Sequence, residues 1–437
     1  MAKEAKERKR KDWRVTVLEW VEAIAAAVFL AMFARHFLIE TFKIPTGSMQ
    51  PTLWGERSST DVYTTDPTLR GRYPERPSGG DKVLVNKMIY DFRRPERWDI
   101  VVFRFPQDTS LNYIKRLWGL PGETIQIREG DVWVDGAIVR KPLKIQNILW
   151  LRWFDMGHLA AATQQTASLP AAAGVASASR ADALLRGKIL QEWIERGYRA
   201  QQVDVRDGRL VLRGEQVAEP LELVYGPVVK DYRGYVMRDL SLDFDMQTTS
   251  PNGSLLVSLA RDENRFRLEL PLVGGTFTLH HGLEPVQAVH RVPSVVPLND
   301  GRPHRVEFSN VDGAVRIVLD GRLLLEHLYE VRPAGGLPGD GSSNASFGVR
   351  QADVAFWNLR LRHDVHYTDP NDIPGIRERA TYALDEPYRI PDGCYFFLGD
   401  NSGNSLDSRM WGAVPQRYLL GEAFFIFRPI QRWRFVN

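Results

Sequence analysis

Asp-Gly pairs recur between short runs of alternating apolar residues, as in "VWVDGAIV" and "AVRIVLDGRLLLE". Both central positions of a type I′ turn need positive φ, which glycine and aspartate tolerate, so such a pair joins two antiparallel strands. Asp135-Gly136, Asp207-Gly208, Asp312-Gly313 and Asp320-Gly321 therefore predict hairpins, and Pro121-Gly122 another tight turn. A chain punctuated in this way is mainly β and antiparallel. From Asp81 the runs "KVLVNKMIY", "DIVVFRF", "NYIKRLWGL" and "TIQIREGDVWVDGAIV" read as strands, and "GEAFFIFRPI" closes the chain in the same style. Between them lie an Ala/Ser-rich stretch (160–179), a helical pattern ending at Gly197, and many further alternating runs up to "VAFWNLRLR". Strands at such regular spacing predict an inserted antiparallel β-sandwich, with two smaller β units as the alternative.

At the N-terminus, seven Lys or Arg among the first fourteen residues precede the apolar run Val15–Ile39. Its uncharged core, Ala23–Ala34, has the length of a cleaved leader's apolar region. The whole run has the length of a transmembrane helix, with Trp13 and Trp20 at headgroup level. The expectation is an uncleaved single-pass anchor, cleavage near Ala34 being the alternative. Positive residues stay inside, so the N-terminus is expected in the cytoplasm and everything after Thr41 outside. A net charge of +3 and the lack of a basic stripe argue against nucleic acid as a partner. One cysteine, Cys394, excludes an internal disulfide. The nine histidines are scattered without metal-ligand spacing apart from the pairs His280/His281 and His363/His366, which lie in strand-like sequence far from any carboxylate-rich loop, so no metal or cofactor is expected.

The stretch "KIPTGSMQPTL" follows the apolar run directly. Pro45 and Pro51 fix φ on either side of Ser48, which suits an ordinary loop and equally a stiff turn presenting a hydroxyl. A serine nucleophile needs a neighbour that takes its proton. No histidine lies in the strand-rich sequence around it, whereas Lys115 in "LNYIKRLWGL" has apolar neighbours that would disfavour its charged form. Taken alone, Lys115 could equally be a strand lysine facing water.

Three segments in this order, "IPTGSMQPTL", "YIKRLWGLPGE" and "GDNSGNSLDSR" (399–409), behind an N-terminal apolar run, resemble the bacterial type I signal peptidases, Ser-Lys dyad endopeptidases of family S26. The resemblance implies Ser48 as nucleophile and Lys115 as general base. Thr46 would join the Ser48 N–H in binding the oxyanion. Ser405 would direct the lysine amine, and Asp407 and Arg409 would buttress the site. Phe42, Ile44, Leu53, Tyr113 and Ile114 match positions lining shallow pockets for small residues. The implied substrates are signal-peptide-bearing preproteins cut after Ala-X-Ala, at the outer face of the bacterial plasma membrane, with the lipid bilayer as a second partner. Ser402-Gly403 stands where the family often carries an Arg-Asp pair, and Trp98-Asp99 replaces the more usual Gly-Asp.

The expected organisation is a basic leader (1–14), a transmembrane helix (15–39), a catalytic domain in two parts (40–144 and 367–437) and the insert (145–366). The insert's rhythm and its "VRIVLDGRLL" hairpin resemble laminin-G or concanavalin-like sandwiches, which leaves an unidentified protein or glycan as its ligand. Two other classes compete: a membrane-anchored binding protein on a peptidase scaffold, and a self-cleaving Ser-Lys repressor. The first would be expected to lose Ser48 or Lys115, and the second to carry a helix-turn-helix; neither holds here.

Overall fold

The computed structural model describes residues 13–33, 38–56, 79–155, 202–206, 208–224, 236–282, 284–285, 297–331, 344–367 and 381–436. The expected helix ending at Gly197 and the Ala/Ser-rich stretch lie outside these residues.

The two ends of the chain build one antiparallel sheet. Its order is Ile39–Lys43, Lys82–Asn86, Leu419–Arg428, Ile100–Phe105, Asp108–Gly119, Cys394–Leu398 and Val414–Pro415, with Arg434–Phe435 paired to Leu419–Arg428. C-terminal strands thus interleave with N-terminal ones, so neither part can form the sheet alone. A second sheet of Tyr388–Arg389, Thr124–Arg128, Asp131–Val134 and Ala137–Ile138 stands beside it. The Asp135-Gly136 turn forms as expected, with φ of 49° and 80°.

Among the described residues the insert is a two-sheet sandwich of eight and six strands. Its turns at Asp312-Gly313 (φ 51° and 71°) and Asp320-Gly321 (φ 50° and 78°) have the conformation their sequence demands. Phe244 and Phe356 of the larger sheet meet Phe347 of the smaller, at ring-centroid distances of 5.7 and 5.1 Å from it. Leu242, Leu255, Val257, Phe266, Phe308 and Ile317 close the same core.

Two borders differ from the sequence reading. Ile145 and Leu149, on the helix Leu143–Leu149, pack with Leu151, Val365 and Tyr367 into the core of Trp118, Ile125, Ile127 and Phe396. One apolar core therefore runs across residues 144/145 and 366/367. The N-terminal helix covers Trp13–Phe33 rather than 15–39, and by Ile39 the chain is in a strand facing Asn86. Among the described residues no helix is long and apolar enough to cross a membrane. Glu19 and Glu22 interrupt the apolar run, and the strand claims its last residue. Leu18, Trp20, Ile24, Phe29, Leu30 and Met32 on this helix are nonetheless exposed.

Candidate active site

Ser48 sits on a loop pinned from three directions. Ile44, Met49 and Leu53 sink into the core formed by Val83, Val85, Ile100, Val102, Ala423 and Ile426. Within the loop, Gln50 N–H donates to Gly47 O at 3.1 Å and Leu53 N–H to Met49 O at 2.8 Å. From the far end of the chain, Asn401 N–H donates to Ser48 O at 3.0 Å and its Nδ2 to Gly47 O at 3.0 Å. Gly55 lies against Thr46: a Cβ there would stand 2.2 Å from the Thr46 carbonyl carbon.

Lys115 lies on the strand Asp108–Gly119, opposite Val101, and is 4% exposed. Its Nζ donates to Ser48 Oγ at 2.7 Å and to Ile114 O at 3.0 Å. Burial pulls its pKa from the usual lysine range down to about 8, against the opposing charges of Asp407 and Asp400 and with the help of Arg409. An amine that loses its proton so readily, in contact with a hydroxyl, can accept the hydroxyl proton. The arrangement is a nucleophile–base pair.

Around the pair stand two buried ion pairs. Arg409 grips Asp407 through Nε at 2.8 Å and Nη2 at 2.8 Å, and holds Ser402 Oγ at 3.0 Å through Nη1. Burial raises the Asp407 pKa, but the Arg409 charge and hydrogen bonds from Arg409 and Gly399 N–H outweigh it and hold the carboxyl below the usual range. Arg116 grips Asp400 through Nε at 2.8 Å and Nη2 at 2.7 Å, and Thr52 Oγ1 donates to the same carboxylate.

The other expected site residues fall out as follows. Thr46 is exposed beside the nucleophile. Ser405 is fully buried, and its hydroxyl makes no hydrogen bond among the described residues; neither of the two bonds of Lys115 goes to it. It lies close enough to Asp407 to help keep that carboxyl ionised. Phe42 and Ile114 pack on the core beneath the loop but retain open surface, while Ile44 and Leu53, 2% and 0% exposed, are enclosed in it. Tyr113 is half-buried, stacked on Phe105 at 4.7 Å and tilted against Trp411 at 5.4 Å. Thr52, Arg116, Asp400 and Asn401 were missed as site residues. Arg116 directly follows Lys115, and Asp400-Asn401 stands inside a segment already singled out, so the signal was adjacency.

The profile of the signal peptidase family, peptidase S26, matches residues 17–149 and 353–428, the two parts that meet at Ser48 and Lys115. The chain resembles the bacterial signal peptidases. Signal peptidase I of Pseudomonas aeruginosa is 32% identical over 140 residues, covering 29% of this chain and 41% of that protein. Signal peptidase I T of Bacillus subtilis is 32% identical over 132 residues, covering 30% of this chain and 55% of that protein. The chain thus spans about half the length of the curated relatives it matches. The laminin G domain profile matches residues 246–339, inside the sandwich. A carbohydrate binding module, CBM66 of Bacillus subtilis, aligns with 35% of this chain and 85% of its own at a TM-score of 0.24 and 12% identity.

Proposed function

We propose that the protein is a membrane-bound serine endopeptidase that removes N-terminal signal peptides from exported preproteins. In this reading Ser48 attacks the scissile carbonyl and neutral Lys115 takes its proton. Thr46 and the Ser48 N–H then receive the developing oxyanion, while Ser405, Asp407 and Arg409 support the pair. The carrying observation is the 2.7 Å contact between Lys115 Nζ and Ser48 Oγ, with both residues buried. Donors aimed at the oxyanion favour the tetrahedral intermediate over the ground state. Phe42, Tyr113 and Ile114 would line the shallow pockets for the small residues before the cut, with Ile44 and Leu53 forming their floor.

The reading includes an anchor: the helix Trp13–Phe33 and its basic leader would hold the enzyme on the bacterial plasma membrane as a single pass, N-terminus inside. Apolar side chains exposed along that helix support this, since large exposed apolar surfaces mark contact with a membrane or partner. Protease protection of the leader in sealed vesicles, with the catalytic part digested from outside, would test it. In this division residues 40–144 and 367–437 form the catalytic unit, and the helix Leu143–Leu149 belongs with it by core packing. The sandwich would serve as a binding unit for a protein or glycan, supported by the laminin G match.

The deciding experiment incubates the detergent-solubilised protein with an Ala-X-Ala preprotein and maps the product by mass spectrometry. A cut after the second alanine is expected. An uncut preprotein, with a known signal peptidase cutting it in parallel, would refute the reading.

A further inference from the structure

Tyr367 ends the segment by which the chain leaves the sandwich, four residues after the strand Asp353–His363, and is buried among the groups that hold the dyad. Its backbone N–H donates to Gly130 O at 2.9 Å. One residue earlier, the His366 ring lies so close over Gly130 that a Cβ there would meet its Nδ1 at 1.9 Å. Asp364 is paired with Lys141 at 2.7 Å and accepts from Gln146 Nε2 at 2.9 Å. The exit segment is thus fastened to the catalytic unit at three successive points.

The ring itself points between the two ion pairs. It meets Trp118 edge-on at 5.2 Å, and the Arg409 guanidinium stands over it at 5.9 Å. Asp400 and Arg116 are near enough to act on its hydroxyl. That hydroxyl has no hydrogen-bond partner among the described residues. A buried hydroxyl without a partner costs free energy, so hydrogen bonding is not what the side chain supplies. What it supplies is a flat, filled surface carrying a π face to a cation.

We propose that Tyr367 is a positioning residue: its ring keeps Arg409 seated on Asp407, and through them it couples the docking of the sandwich to the state of Lys115. The coupling deepens the proposed dyad and rests on Lys115 acting as the base. The charged groups around Lys115 are Asp407, Asp400 and Arg409; the Tyr113 ring stands 5.6 Å from its amine. If Arg409 slips away, the Asp407 charge is less compensated, the ammonium form of Lys115 is favoured, and its pKa rises. A misfolded fraction lowers the amount of working enzyme without moving a pKa.

The test compares wild type with Tyr367→Phe, which keeps the ring, and Tyr367→Leu, which keeps apolar bulk but loses it. Two quantities are read in detergent: the acid limb of kcat/KM for a preprotein, and the titration of Lys115 by NMR of labelled lysine side chains. For Tyr367→Leu, both should move to higher pH by about half a unit or more, with kcat at neutral pH falling roughly three-fold or more and KM little changed. Tyr367→Phe should match wild type in both midpoints. Unmoved midpoints in a folded Tyr367→Leu protein, or equal shifts in both variants, would overturn the coupling. A shifted lysine titration in a protein that cleaves nothing would overturn the dyad reading while leaving the coupling standing.

Discussion

Arg116 and Asp400, 284 residues apart in sequence, face each other at 2.7–2.8 Å with both side chains fully buried. The pair joins the strand that carries Lys115 to the turn whose next residue, Asn401, holds the Ser48 loop. Removing one partner leaves an uncompensated buried charge, worth about 3–5 kcal/mol. Asp400→Ala should therefore unfold at markedly lower temperature than wild type, and more so than Asn401→Ala, which loses neutral hydrogen bonds alone. Thermal melts of the two variants side by side check this, and equal melting temperatures would refute it.

Replacing either member of the dyad should abolish cleavage while the fold persists. Ser48→Ala and Lys115→Met remove nucleophile and base from groups that act as a unit, a loss of several orders of magnitude in rate. Thr46→Val should cost less, on the order of 10²–10³ in kcat with KM little altered, as for one oxyanion donor. Preprotein cleavage followed over time, with circular dichroism as the folding control, separates these outcomes. A Ser48→Ala protein that still cuts would end the serine mechanism.

The pH dependence has a definite sign. With its pKa near 8, Lys115 is protonated in most molecules at neutral pH, so kcat/KM should climb through pH 8 and then level off. A histidine base would instead give its rise around pH 6.5. Stability follows the same group. The folded-state pKa lies below the unfolded value, so the protein gains stability as pH rises from about 8 toward the unfolded lysine value, and protonation opposes folding below that window. Lys115→Met should therefore be inactive yet melt at a higher temperature than wild type at pH 7, even though the Ser48 hydrogen bond is lost. A lower melting temperature would contradict the depressed pKa.

The meeting of Ser48 with Lys115 and of Asp407 with Arg409 could be expected because each lies in a short segment of distinctive composition, whereas the amine-directing bond expected of Ser405 is not made. The turns at Asp135-Gly136, Asp312-Gly313 and Asp320-Gly321 were legible because two positive φ values admit few residues. The same logic could not reach Arg116 with Asp400, whose meeting depends on how strands from opposite ends of the chain interleave. Ile44 and Leu53 read as pocket walls from position alone; their enclosure depends on what packs beneath them. Asp312 reads only as a turn residue, and nothing in the sequence singles out Asp364 or Arg261. All three are buried, because a second unit lies across them.

Gly399 leaves no room for a side chain between the two halves of the site. A Cβ there would stand 2.1 Å from Ser405 Oγ and 2.6 Å from Ser48 O, and the second contact is backbone, which cannot swing away. Gly399→Ala should displace the nucleophile by a few tenths of an ångström or more and lower kcat by about 10²-fold, with KM and secondary structure near those of wild type. Near-normal kcat would mean the Ser48 loop yields freely, against the hydrogen bonds that pin it.

Removing the sandwich is the sharpest test of how far the insert is independent. The sequence suggests excision of 145–366 with a Gly/Ser linker, but that cut takes Ile145, Leu149, Leu151 and Val365 out of the catalytic core. Their loss opens a cavity, at about 2–5 kcal/mol for each large side chain removed. A cut that keeps residues up to Arg152 and resumes at His363 spares that core. It still breaks the junction. Lys141, 4% exposed, loses its bond to Asp312 and keeps Asp364, and Asp131 loses Arg261. Neutral replacements matching the lost partners should repair this, since well-packed apolar groups often equal a buried ion pair. The expected order of melting temperature is therefore intact enzyme, then the short excision carrying Lys141→Met with Asp131→Asn and Asp364→Asn, then the short excision alone, and last the 145–366 excision. Cleavage of a short peptide, normalised to folded protein, should survive in the repaired variant at a reduced rate. If the 145–366 excision were as stable as the intact enzyme, the shared core would contribute nothing and the insert would be fully independent.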